Sequence, residues 1–139
     1  MKNALIIGGV VLTLLVGGSW WSRGLQDSDL NVISRDGLHW HPTLEIYVKS
    51  EKMGIPESIG LGAVHLPMHT HEDLPVIHLE FGGVVREDDL KLGQFFKNWG
   101  KDMRSFGSAM RMTVNGVENR EYEEYVMGDG DRIELRYDK

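Results

Sequence analysis

Leu38-His39-Trp40-His41-Pro42-Thr43-Leu44-Glu45-Ile46-Tyr47-Val48 alternates at the period of a pleated strand. Trp40, Leu44, Ile46 and Val48 fall on one side, and His39, His41, Thr43, Glu45 and Tyr47 on the other. Successive strand residues face opposite ways, so this reads as one half-buried strand with its apolar side towards a core. Two histidines are left side by side on the outer face, roughly 6.5–7 Å apart along the strand.

Downstream, Ser50-Glu51-Lys52 suggests a hairpin turn with a short return over Met53 to Ile55, and Ile55 to Gly60 a bend. A second alternation runs through Val76-Ile77-His78-Leu79-Glu80-Phe81, with Ile77, Leu79 and Phe81 inward and His78 and Glu80 outward. Asp88 or Asp89 suits a helix N-cap. Leu92, Phe95, Phe96 and Trp99 then follow the i, i+3, i+4, i+7 spacing of an amphipathic helix that Gly100 closes. Met110 to Val114 reads as a strand, Asn115-Gly116 as a hairpin turn, and Arg132 to Tyr137 as a last strand after Gly128-Asp129-Gly130-Asp131. The expected fold is α+β, a single small mixed sheet packed on one helix.

Ahead of this domain, Ala4 to Trp21 is 18 residues without a charge, ending on Trp20-Trp21. That approaches the ~20 residues a helix needs to cross a hydrocarbon core, with the ring pair suited to the interface. A retained signal anchor over 1–22 and a cleaved signal peptide both fit; no Ala-X-Ala site is obvious, and Gly17-Gly18-Ser19 comes nearest. Residues 23–37 read as a polar linker and 38–139 as an extracytoplasmic domain on the far side of a single-pass cell-membrane anchor.

A formal charge of -6 argues against nucleic acid, which demands a basic face. The absence of cysteine removes disulfides, thiolate metal sites and cysteine nucleophiles. Any metal must be met by imidazole, carboxylate, thioether, backbone oxygen or water.

All six histidines lie between positions 39 and 78, four of them in the triplets His39-Trp40-His41 and His69-Thr70-His71. Imidazole is the commonest metal ligand. If the two alternating strands share a sheet, His39, His41 and His78 project from its non-core face. Three imidazoles with one open position make a common exchangeable or catalytic site. The segment between Pro67 and Pro75 is expected to fold over that face with His69 and His71, and His65 is a further candidate. Glu45 and Glu80 are expected to orient ring N–H groups or ligate directly. Without thiolate, copper is favoured over zinc; Met68 and Met53 near the imidazoles would also suit Cu(I). Binding is expected to weaken below pH ~6 as imidazoles protonate.

The same residues carry a resemblance. His39-X-His41-Pro-X-Leu44-X-Ile46, Ile55-Pro56-X-X-Ile59-Gly60, His69-Thr70-His71, Ile77-His78-Leu79-Glu80 and Leu92-Gly93-Gln94-Phe95-Phe96-X-X-Trp99-Gly100, in that order, resemble a family of small exported His-rich bacterial and archaeal proteins with an N-terminal membrane segment. Pro75 stands where that pattern has Gly. Val114-Asn115-Gly116 with Asp129-Gly130-Asp131-Arg132-Ile133 looks like the end of a β-grasp sheet. The resemblance implies a shared histidine site and no settled activity.

The reading that follows is a membrane-tethered metal-binding protein for metal binding, delivery or sensing. A metal-dependent enzyme with an open His-ligated position is an alternative, and a metal-free module binding an envelope partner is another. No His-Glu-X-X-His, Gly-X-Ser-X-Gly or phosphate-loop motif occurs.

Overall fold

The computed structural model describes residues 8, 11–21, 31–107 and 109–138, which form two units meeting between Val32 and Ile33. In the first unit, residues 11–21 are helical (α1) and exposed. No helix among the described residues is long and apolar enough to cross a membrane. The remaining expected anchor positions, and 23–30 of the expected linker, lie outside the described residues.

Ten strands follow: β1 (Val32–Ser34), β2 (Leu38–Trp40), β3 (Thr43–Val48), β4 (Glu51–Met53), β5 (Met68–His69), β6 (His78–Phe81), β7 (Val85–Arg86), β8 (Ala109–Val114), β9 (Val117–Asn119) and β10 (Arg132–Asp138). One further helix, α2 (Leu92–Trp99), lies between β7 and β8. The α+β class therefore holds, and the expected single sheet does not. Among the described residues there are three sheets: β1-β7, β4-β3-β10-β8-β9 and β2-β6-β5.

The break falls inside the first alternating stretch. The expected strand over 39–48 is two strands, β2 and β3, in different sheets. Pro42 separates them, because it has no N–H to donate and disfavours continuous pairing. Its carbonyl instead accepts from Ile77 N at 2.8 Å. The polypeptide read as linker also contributes: β1 lies within 23–37, and the second unit begins before the expected Leu38.

β3 runs parallel to β10, while β10 and β8 are antiparallel. This register stacks apolar rows across three strands. Leu44 aligns with Ile133 and Val114, and Ile46 with Leu135 and Met112. Leu44, Ile46, Met112, Ile133 and Leu135 are buried in one core with Phe95 and Phe96 of α2. The Asn115-Gly116 hairpin forms as expected, with both residues at positive φ. The other hairpin turns earlier than expected, at Lys49-Ser50, so that Val48 pairs with Glu51.

Gly100 caps α2 in the left-handed region at φ 70. Its N-cap is Lys91 rather than Asp88 or Asp89. Those two acids sit in a separate 3-10 turn, Glu87–Leu90, where Asp89 Oδ2 accepts from Arg86 N at 2.8 Å. The turn completes its own end before the α-helix starts. Asn98 of α2 donates to the carbonyl of Met68 at 3.0 Å, tying the helix to β5 at the edge of the three-stranded sheet.

Candidate metal centre

Strand register assembles the site. β6 is central between β2 and β5, with His39 opposite Glu80 and His69 opposite His78. His78 and Glu80 are two residues apart and share a face, so all four side chains stand on one side of the sheet. Trp40, Met68 and Leu79 stand on the other, packed into or against the core. His41 and His71 follow two residues after His39 and His69. The rings of His39 and His41 are centred 4.7 Å apart, and those of His69 and His71 4.8 Å.

His78 joins the two triplets. Its ring lies 5.0 Å from that of His41, 4.9 Å from His71, and 5.5 Å from His69, nearly parallel at 10°. His65 touches His69 at 5.1 Å. All six imidazoles thus form one continuous chain of ring contacts.

The middle residue of the second triplet holds it in place. Thr70 is fully buried; its hydroxyl donates to Pro56 O at 3.0 Å and accepts from Ile59 N at 3.1 Å. With Thr70 turned into the Pro56–Ile59 bend, His69 and His71 point the other way. Gly60, at φ +75, closes the same bend, and a Cβ there would lie 2.6 Å from Met68 O and 3.2 Å from His69 Cβ. Glycine is required at that position on both counts.

Hydrogen bonding assigns the tautomers. Leu66 O lies 3.0 Å from His69 Nδ1. A carbonyl only accepts, so Nδ1 carries the proton and Nε2 keeps its lone pair. That Nε2 is 3.1 Å from His71 Nε2. Burial outweighs the carbonyl's effect and holds His69 below the usual imidazole range, which favours the neutral, ligating form. Both oxygens of Asp73 lie 3.1 Å from His78 Nε2. The same contact pulls Asp73 below the usual carboxylate range, so a carboxylate holds the proton on Nε2. His78 Nδ1 is then the lone-pair nitrogen; it is buried with no hydrogen-bond partner, and Glu80 Oε1 is 3.9 Å away.

A buried lone pair without a donor is a costly arrangement. A cation would satisfy it. Carboxylate on one imidazole nitrogen with the other nitrogen bare is the usual setting of a metal-bound histidine. Two sets of three residues bring one ligand atom each within 4.8 Å of one another: His39, His41 and His78, and His69, His78 and Glu80. These groups could hold a metal ion.

Not every expected residue joins them. His65 and His71 touch the cluster through ring contacts but belong to neither set. Glu80 is at the site, with Oε1 3.1 Å from His39 Nε2. Glu45 is not brought there: it sits on β3 in the five-stranded sheet, bonded to Tyr47 and Lys52, because the break at Pro42 diverts that strand. Met68 points into the core, since it neighbours His69 on a strand and takes the opposite face. Met53 lies on β4, also in the other sheet. Neither thioether therefore shares the histidine-bearing face of the three-stranded sheet.

Two acids escaped the sequence reading. Asp73 is one; its place two residues after His71 in the proline-bounded segment is the only hint of its role. Asp129 is the other, accepting from His41 N at 2.9 Å across 88 positions of sequence, which no local pattern announces. No protein-family model, curated protein or solved structure matches the chain.

Proposed function

We propose that the chain is a membrane-tethered, extracytoplasmic metal-binding protein, with copper preferred to zinc, that serves metal binding, delivery or sensing. The carrying observation is the buried, unpartnered Nδ1 of His78 at the junction of two histidine triplets. Imidazole-rich, thiolate-free donors suit Cu(II) and Zn(II), and the general affinity order puts copper first. The convergence of the rings supports this reading over a metal-free partner-binding module. The tether rests on the uncharged stretch from Ala4 to Trp21.

The reading of the fold as β-grasp-like draws support from the five-stranded sheet. Its order β4-β3-β10-β8-β9 sets a first and a last strand parallel at the centre, with a helix in the connection between the two hairpins. Membership of the exported His-rich family rests on the five motif blocks quoted above.

Metal content is the test. Full-length protein, stripped by chelation and dialysed against Cu(II) or Zn(II), is expected to retain about one ion per chain. A variant with His39, His41, His69, His71 and His78 all changed to alanine is the comparison. Equal uptake by the two proteins would sink the proposal.

A further inference from the structure

The two candidate ligand sets differ in exposure and chemistry, and they overlap at one residue. The outer set, His39 and His41 with His78, opens to solvent; the His39 side chain is 62% exposed. The inner set replaces those two imidazoles with the buried His69, 2% exposed, and with the Glu80 carboxylate, which is itself exposed at the rim. Glu80 also lies 3.1 Å from His39 Nε2, so the two sets adjoin.

A neutral imidazole has one lone pair, because its other nitrogen carries the proton. Asp73 holds that proton on His78. His78 can therefore serve either set, and never both at once.

We infer that the cluster is a two-station path for a single metal ion, captured at the exposed three-histidine set and passed to the inner His69–His78–Glu80 set, with His78 as the ligand that stays bound throughout. This inference rests on the metal-binding reading above. Keeping one ligand while exchanging the others avoids releasing a bare ion. The inner station, with one hard oxygen donor, also differs in ligand field from the all-imidazole outer one.

Cobalt(II) is a suitable probe, since its visible absorption reports the donor set. Full-length protein is titrated with Co(II) alongside His39→Ala/His41→Ala, which removes the outer station, and Glu80→Gln, which removes the inner. We expect one ion per chain in the wild type. Each variant should also take one ion, more weakly and with its own visible spectrum. In the outer-station variant, transfer of the ion to a soluble chelator should slow. The combined His39→Ala/His41→Ala/Glu80→Gln variant should lose uptake, and so should His78→Ala. The combined variant changes only exposed side chains, so it decides the matter even if His78→Ala fails to fold.

Two ions held at once by the wild type would overturn the inference. So would complete loss of uptake in either single-station variant, which would mean one undivided site, or wild-type uptake in the combined variant. In those cases metal binding itself stands. No uptake by the wild type would instead remove both this inference and the function on which it rests.

Discussion

His78 meets a carboxylate on one nitrogen, and its other nitrogen is buried without a hydrogen-bond partner, which on the proposed reading gives Asp73 a positioning role. Asp73→Asn keeps the shape and removes the charge that fixes the ring proton. Metal affinity should fall by about 10–100-fold, the usual cost of losing an outer hydrogen-bond partner. Thermal stability should hardly move, since Asp73 is exposed. Calorimetric titration beside a thermal melt separates the two effects, and unchanged affinity would deny Asp73 its role. Thr70 predicts the reverse order of effects. Thr70→Val keeps the volume, strands Ile59 N–H inside the protein and takes the hydroxyl donor from Pro56 C=O. The expected loss is about 1–3 kcal/mol in urea unfolding. A variant as stable as wild type would show that the bend is held by other contacts.

At the scale of elements, the site depends on a short edge strand and the bend beneath it. β5 has only two residues, and it is held by β6 on one side and by Asn98 of α2 on the other. Gly60 lets the bend pass directly under it. Gly60→Ala must adopt a positive φ and push against a carbonyl, so we expect a destabilisation of more than about 1 kcal/mol. Metal affinity should fall with it, because His69 is displaced. A Gly100→Ala control is strained at similar φ but meets no neighbour within 4 Å. It should lose stability without selective loss of metal binding; equal effects of the two changes on affinity would argue against the bend as the platform of the site.

For the whole molecule, two linkages follow. An ion that binds only the folded chain stabilises it, by about 2.7 kcal/mol at a free concentration 100 times the dissociation constant. The melting temperature should rise with Cu(II) or Zn(II) and return on chelation; a flat response would count against a site formed by folding. The second linkage is alkaline. Burial is the leading cause that pushes the phenols of Tyr125 and Tyr137 well above their ordinary range, and each donates a hydrogen bond, to Asp131 at 2.6 Å and to Met103 O at 2.7 Å. In the unfolded chain these phenols ionise near pH ~10, whereas the folded chain keeps the proton. The folded state then binds more protons, so stability is whole below that pH and declines as pH rises above it. Phenolate absorbance should show these two tyrosines lagging and then ionising together with loss of near-ultraviolet circular dichroism. Tyr125 and Tyr137 ionising near pH ~10 in a still-folded chain would contradict this.

Local pattern was enough for much of the architecture. Alternation along 39–48 and 76–81 set the inward and outward sides of Trp40, Leu44, Ile46, Leu79, His39 and His78, because strand geometry has a period of two whichever sheet the strand joins. The apolar spacing of Leu92, Phe95, Phe96 and Trp99, the Gly100 cap and the Asn115-Gly116 turn were legible for the same reason: each is a short-range rule. What Pro42 does to β2 and β3 was not legible, since partner choice is settled by packing across the molecule. That choice removed Glu45 from the histidines and brought His69 opposite His78. Asp129 entered the site by folding alone, because a hydrogen bond across 88 positions leaves no trace in local composition, while Asp73, five residues before His78, was brought in by the path of the proline-bounded segment. The chain itself determined that imidazoles would be plentiful and that those on the alternating strands would turn away from the core; only the tertiary structure decided which nitrogens keep a free lone pair.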